Sequence, residues 1–489
     1  MYYPTLTQVK EIVTTGDYDI VPISKEIYGD CITPIEVMRI LKQYSKHCYM
    51  LESVDDTKRW SRYTFMGYDP KSEITCLNNI MNVDGQEFHV DHPGVYLKEL
   101  LKQYRSPKIA GLPTFTGGLV GYFAYDYFKY SEPVLKLKSD EDDEGFNDVD
   151  LMLFDEVICF DNDKQKIILI VNAKVKDLEQ SYQAALTKLD QLHHLIIKGT
   201  KAKIEPLQLT SEFKSLFSQA EYCTMVEKAK KYIKEGDIFQ VVLSNPLQAE
   251  ATGSLFDTYR VLRTTNPSPY MFYFSSDNQE IAGASPETLV KLENKRLYTY
   301  PLAGTRPRGQ DEDEDKQLQE DLLADQKELA EHNMLVDLGR NDLGRIAKFN
   351  SVKVEKYLEV LRFSHVMHIG STVSGIILDD HDALDAIDAL LPAGTLSGAP
   401  KIRACQIINE LENKRRGIYG GAVGYLDFTG NLDTCIAIRL AYKKNQKVNV
   451  CSGAGIVYDS VAVTEHQECL NKAKAVIKAI EVANGGIDE

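Results

Sequence analysis

The chain has 489 residues, 43% of them hydrophobic and 26% charged, with a formal net charge of −16. Its length gives room for a large core and about two to four domains, and its negative sign argues against nucleic acid or an anionic membrane as partner. Nine scattered cysteines without a C-x-x-C pair suit reduced thiols in a cytoplasm, and neither a secretory signal nor an apolar run long enough to span a membrane is present.

In chain order, residues 1–50 start as strand or loop and become a helix with Ile35, Met38, Ile40 and Leu41 on one side. Tyr49 to Ser53 is an apolar run ending in the polar pair Glu52–Ser53, and Arg62 to Tyr68 alternates as a strand. Phe115 to Tyr130 mixes Gly117, Gly118 and Gly121 with aromatics and suits a buried strand. Ser139 to Glu144 is an acidic surface loop. Leu151 to Phe160 and Lys166 to Asn172 flank Asn162-Asp163, a hairpin signal, and Asp177 to Ile197 is helical. Polar residues 198–210, with Pro206, form a linker that divides the chain into regions 1–205 and 206–489.

Beyond it, Ser218 with Glu221 predicts a capping box, and Gly236 closes the helix before a strand at Ile238 to Leu243. Asn266-Pro267-Ser268-Pro269 is a rigid turn before the strand Tyr270 to Ser275. A strand ending at Ala284 leads to Ser285-Pro286-Glu287, where a carboxylic acid of raised pKa suits general acid work. Gly304 to Gly309 reads as a loop, and a helix from about Leu318 is expected to stop at Gly339. On it, Glu328 and Glu331 are three apart and share a face. A second such pair, Glu465 and Glu468, lies on a helix from about Thr464 to Val482, with Lys472 one turn on. Four carboxylates from two facing helices need a cation between them, and an all-oxygen donor set suits Mg²⁺.

Near the end, Gly420 to Phe428 and Leu432 to Ala441 pair around Gly430-Asn431, and Gly420–Phe428 faintly echoes Gly117–Asp126. Val448 to Val457 reads as a strand in which Gly453 and Gly455 let an anion approach backbone N–H groups. Arg439, expected on a strand, is either half of a structural ion pair or a carboxylate anchor. His368, in an alternating run, reads on its own as a satisfied core histidine. The Gly394–Lys401 loop lacks the spacing of a phosphate-binding loop, which excludes an NTPase of that type.

Together these stretches resemble the chorismate-utilising enzyme family, in its anthranilate synthase large-subunit branch. The motifs that carry the likeness are Ala284–Glu287, Gly304–Gly309, Glu328–Asp342, Gly394–Lys401, Tyr419–Tyr425 and Cys451–Ile456. The resemblance implies an α/β (α+β type) fold of two layers, with helices around extended, mainly antiparallel sheets and the active site between layers. It implies Mg²⁺ held by Glu331 and Glu468 with Glu328 and Glu465 in support, ring contacts from Thr305 and His368, and a substrate-binding place for Gly304. Thr395, Tyr419, Arg439, Gly453, Gly455 and Lys472 would hold the carboxylates and pyruvyl arm of chorismate. Glu287 would protonate the departing hydroxyl, and His368 would assist aromatisation. The implied reaction converts chorismate and ammonia to anthranilate and pyruvate, with ammonia drawn from glutamine by a separate amidotransferase subunit. Gln240 and Ala303 stand where water-adding and 4-amino-4-deoxychorismate-forming members carry a lysine, which sets those two branches apart as alternatives. Feedback inhibition by L-tryptophan is implied at Glu52, Ser53, Asn266, Pro267, Ser268, Tyr270 and Met271, with weaker matches at Pro22, Gly283 and Cys435. Glu52 would meet the inhibitor's α-amino group.

Overall fold

A computed structural model describes residues 2–53, 62–135, 145–362 and 366–488. The acidic run at 139–144 and residues 363–365 of the stretch before His368 lie outside them. Two large antiparallel sheets, of 13 and 12 strands, carry the fold, and a small three-stranded sheet joins Gln240–Ser244, Gly398–Ala399 and Gly453–Ile456. This is the expected α+β architecture.

The strands of the first sheet are apolar on both faces because each face has its own cover. In Cys48–Glu52, Tyr49 packs into the core shared by the two sheets, while Cys48 and Met50 point to the core under the helices. Tyr270–Ser275 does the same: Phe272 and Phe274 go one way, Met271 and Tyr273 the other. Helices Pro34–Tyr44, Leu178–Lys198, Phe256–Thr265 and Ala462–Ala483 cover the second face through Val37, Leu189, Tyr259 and Val476. The capping box of Ser218 and Glu221 forms, and Gly236 ends that helix in the left-handed conformation.

The boundary at 205/206 falls in the segment after Leu178–Lys198, yet both large sheets draw strands from either side of it. In the second sheet, Gly118–Phe123 lies beside Ala422–Asp427, with Gly121 opposite Gly424. The two segments that echo each other in sequence are therefore neighbours. A Cβ on Gly121 would sit 2.1 Å from the Asp150 oxygen, and one on Gly424 2.0 Å from the Asp433 oxygen, so both positions require glycine.

Several elements differ from the sequence reading. The central helix is two helices, Glu312–Ala324 and Gln326–Gly344, because Asp325 caps the second through Lys327 N and Glu328 N. The second runs past Gly339, where the missing side chain lets the helix approach Thr299 and Pro301. The Gly304–Gly309 loop is largely strand, Leu302–Pro307, with a register shift at Gly304, whose φ is 66°. That bulge adds one residue and re-aims the side chains after it. Lys447–Val450 and Gly453–Ile456 are separate strands in different sheets, so the chain turns at Cys451–Ser452.

Most consequential is a ribbon that passes from one large sheet to the other. Gln279–Ser285 pairs with Leu440–Lys444 in the first sheet, and the continuing strands Thr288–Glu293 and Leu432–Ile436 pair in the second. Both chains bend between the sheets, at Pro286–Glu287 and at 437–439. Proline has no N–H for the ladder, which helps to end the first strand there.

Candidate active site

Glu287 and Arg439 sit at the two bends of this ribbon, and the bends are laced together. Ile436 N donates to the Glu287 carbonyl at 2.9 Å, Ser285 Oγ donates to Ile436 O at 2.7 Å, and Ala284 N donates to Arg439 O at 3.0 Å. Arg439 is not on a strand, as the sequence reading had it; it occupies the left-handed region with φ 50°. A long side chain held there stores backbone strain, a feature that clusters at functional sites.

Both side chains line a cavity of about 890 Å³. Burial pushes the Glu287 carboxyl up to about 7, against the opposing pull of the Thr395 hydroxyl, which donates to it at 3.0 Å, and of the Arg439 charge. Burial likewise pulls Arg439 down, and Glu287 opposes that shift. A carboxyl poised near neutrality beside a guanidinium can give or take a proton and anchor an anion.

The rest of the wall comes from four directions. Gln326–Gly344 contributes Lys327, Glu331 and Met334, and Ala462–Ala483 contributes Glu465, Glu468 and Lys472. The turn after Gly394 brings Thr395 and Leu396, and the small sheet brings Gln240, Val242, Gly453 and Gly455. Gly453 has no side chain because one would strike Leu243 O and the Tyr419 hydroxyl; at Gly455 the Gln240 amide lies close, 2.7 Å from where a Cβ would be. Behind this wall, Arg416 is fully buried against Glu412 and donates to Leu396 O at 2.6 Å and Val242 O at 2.7 Å. Sequence reading missed Arg416 and Glu412; their i,i+4 spacing was the only signal.

Glu287, Thr395, Tyr419, Arg439, Gly453, Gly455, Lys472, Glu331, Glu465 and Glu468 thus line one cavity. Gly304, Thr305, His368 and Glu328 do not line it. They interlock on an adjoining shelf: His368 Nδ1 is 2.8 Å from Gly304 O and 3.1 Å from Thr305 Oγ1, and a Cβ on Gly304 would be 3.2 Å from Glu328 Oε2. The carbonyl assigns the Nδ1 proton to that bond, which leaves Nε2 as the basic nitrogen. Burial lowers the pKa of this imidazole and favours its neutral form.

The four-carboxylate cage inferred from sequence is not closed. Among the described residues no group of three or more His, Cys, Asp or Glu side chains is drawn together to hold a metal. Glu328 leans toward Arg306, 3.8 Å away, and Glu468 pairs with Lys472 at 2.7 Å. The donor set still suits a hard cation. Burial raises the Glu331 pKa, and the charges of Glu328 and Glu468 raise it further, so added positive charge would relieve the crowding. Lys327, unnoticed in the sequence although it lies four residues before Glu331, supplies part of that charge.

The ribbon also reaches a second cavity, of about 490 Å³. Glu52, Ser53, Tyr270, Met271 and Cys435 line it, with Phe65, Tyr298, Tyr300 and Tyr425 making its walls aromatic. Asn266, Pro267, Ser268 and Gly283 stand outside this lining, and Pro22 pairs with Asn172 in the first sheet. Gly283 supports the cavity indirectly, since a Cβ there would strike the Phe272 ring at 2.3 Å. Glu52, expected to meet an amino group, already has partners within the chain. Its carboxylate is already engaged by Arg263 Nε at 2.8 Å, Arg263 Nη2 at 3.1 Å and the Tyr259 hydroxyl at 2.5 Å. Ser53 Oγ, by contrast, is buried without a hydrogen-bond partner among the described residues.

The sequence pattern of chorismate binding enzymes matches residues 7–478. Anthranilate synthase component 1 of Acetivibrio thermocellus is 44% identical over 99% of both chains, and that of Aquifex aeolicus is 42% identical over 99% of both. The crystal structure of anthranilate synthase component I from Streptococcus pneumoniae TIGR4 superposes with a TM-score of 0.77 at 40% identity, covering 92% of this chain and 98% of that one. With a family match along nearly its whole length and full-length relatives above 40% identity, this chain belongs to the chorismate-binding enzymes, in their anthranilate synthase component 1 branch.

Proposed function

We propose that this chain converts chorismate and ammonia to anthranilate and pyruvate, the lyase step that commits chorismate to tryptophan in the cytoplasm. The observation that carries the reading is the buried Glu287 carboxyl, near 7, facing Arg439 across a cavity walled by anion-ready backbone. Arg439, Lys472 and the N–H groups around Gly453 and Gly455 anchor the two carboxylates of the substrate. As ammonia bonds to the ring carbon beside the carboxyl-bearing one, neutral Glu287 protonates the departing ring hydroxyl, which leaves as water. His368, whose burial favours the neutral form, serves through Nε2 as base for the ring proton lost when pyruvate departs and the ring becomes aromatic.

Glu331, Glu465 and Glu468, with Glu328 behind them, are the residues that would hold Mg²⁺. When bound, the ion neutralises the crowding of these acids with a substrate carboxylate and orients it. Gln240 favours ammonia over water as nucleophile, because an amide supplies no base for water. Ala303 has no atom with which to form a covalent adduct. A partner subunit that frees ammonia from glutamine fits the chain's cysteines. Burial pushes the thiols of Cys48, Cys76, Cys159, Cys405, Cys435 and Cys469 up, the opposite of what a glutaminase nucleophile needs.

The aromatic cavity of about 490 Å³ suits L-tryptophan as feedback inhibitor, with the indole among the rings and Ser53 offering its hydroxyl. Introducing bulk by Ser53→Phe is expected to raise the tryptophan concentration for half-inhibition at least tenfold while leaving chorismate turnover near normal. An unchanged inhibition curve rules this cavity out as the inhibitor site.

Removing the acid by Glu287→Gln is expected to lower kcat about 10²–10⁴-fold with the fold intact. The pH dependence has a definite sign. A carboxyl raised to about 7 keeps its proton below that pH and loses it above. At saturating free ammonia, kcat/KM for chorismate therefore falls about tenfold per pH unit above pH 7, and Glu287→Gln abolishes that limb. A limb that persists in Glu287→Gln assigns the acid elsewhere.

For the metal, Glu331→Gln and Glu468→Gln are each expected to abolish the Mg²⁺ dependence of chorismate binding in calorimetry, together with turnover. Near-normal Mg²⁺-dependent binding in both variants contradicts the assignment.

A further inference from the structure

Glu287 belongs to no strand or helix. Its neighbours on the chain must therefore fix its direction. On the far side is Thr288, 6% exposed, the first residue of the strand Thr288–Glu293. Its Oγ1 lies 2.8 Å from the Tyr270 hydroxyl, and the same hydroxyl lies 2.9 Å from Asp433 Oδ1. A carboxylate oxygen accepts, so Tyr270 donates to Asp433 and accepts from Thr288. The proton order of the chain is thereby set: Thr288 to Tyr270 to Asp433.

The anchor is firm at both ends. Tyr270 pairs with Ser285 across the ladder, two residues before Glu287. Thr288 pairs with Cys435, next to Ile436, whose N–H holds the Glu287 carbonyl. Asp433 stands on the same strand, with Lys291 Nζ 3.8 Å away. The Glu287 bend is thus held from both strands of the ribbon: by Ser285 Oγ, which accepts from Glu287 N at 3.3 Å and donates to Ile436 O, and on its other side by the hydroxyl pair of Thr288 and Tyr270. Tyr270 and Asp433 also line the aromatic cavity, whereas Thr288 does not.

We propose that Thr288 and Tyr270 are positioning residues for Glu287: their hydroxyl pair, anchored on Asp433, fixes the bend that aims the carboxyl into the substrate cavity and ties it to the wall of the aromatic cavity. The inference rests on Glu287 being the acid of the proposed reaction. Neither hydroxyl touches the substrate cavity, so the effect of losing one falls on proton delivery rather than on substrate binding.

Thr288 is the position to test, because Tyr270 variants also reshape the aromatic cavity. Thr288→Val removes the hydroxyl at nearly constant shape, and Thr288→Ser keeps it. With Thr288→Val, kcat is expected to fall about tenfold while the chorismate KM stays within about twofold. The alkaline limb of the pH profile should move upward, since a misplaced carboxyl loses the Thr395 hydrogen bond that favours its charged form. Thr288→Ser should restore kcat and the limb. Tyr270→Phe should reproduce Thr288→Val and decides the matter if the valine variant does not fold. Unchanged kcat and pH profile in Thr288→Val, or equal losses in Thr288→Ser, overturn the proposal. Wild-type turnover that yields no anthranilate overturns the reaction itself, so the two failures are told apart.

Discussion

The structure turns on the crossing of one antiparallel ribbon between two large sheets. A ladder cannot bend sharply and stay paired, so the crossing leaves two unpaired bends, and these hold Glu287 and Arg439. The bonds from Ile436 N to Glu287 O and from Ala284 N to Arg439 O keep the bends in register. An acid and a cation are thereby presented by rigid elements rather than by long loops, and burial tunes the acid. Without the crossing, Glu287 would be an ordinary surface carboxylate, ionised well below neutrality.

The same ribbon reaches both the substrate cavity and the aromatic one. Glu287 and Arg439 open onto the one of about 890 Å³; Tyr270, Asp433 and Cys435, a few residues away on the same or paired strands, face the one of about 490 Å³. A ligand that strains one wall loads the bends directly, because the interior is close-packed and transmits strain. On the opposite side of the substrate cavity, Arg416 and Glu412 support the wall. Breaking such a buried pair by truncating one partner typically costs about 3–5 kcal/mol. Its carbonyl contacts at Val242 and Leu396 link that cost to the shape of the cavity.

Much of the site was legible because its chemistry is written in short runs. Ala284–Glu287, the Gly453–Gly455 pair and the carboxylate pairs at i,i+3 each state a local requirement that sequence spacing preserves. What escaped depends on long-range packing. The left-handed conformation of Arg439 follows from the crossing, which no local pattern reveals. Glu328 lies within 3.8 Å of Arg306 on a bulged strand, and four acids with the right spacing do not make a closed cage. Glu52 looked available because its partner Arg263 lies on a helix, Phe256–Thr265, that the sequence reading passed over. Gly339 read as a stop, yet it serves close packing inside a helix. The hairpin strands Ile80–Val83 and Gln86–His89 escaped because their residues are mostly exposed and carry little alternation.

Everything in this cavity bears on one choice: it adds ammonia, and not water, beside the carboxyl-bearing ring carbon, and then expels pyruvate. Chromatography of a reaction containing the full chain, chorismate, ammonium and Mg²⁺ at mildly alkaline pH tests it most directly. Anthranilate and pyruvate are expected in equal amounts, without accumulating isochorismate, salicylate or 4-amino-4-deoxychorismate. Isochorismate or 4-amino-4-deoxychorismate as the main product would contradict it.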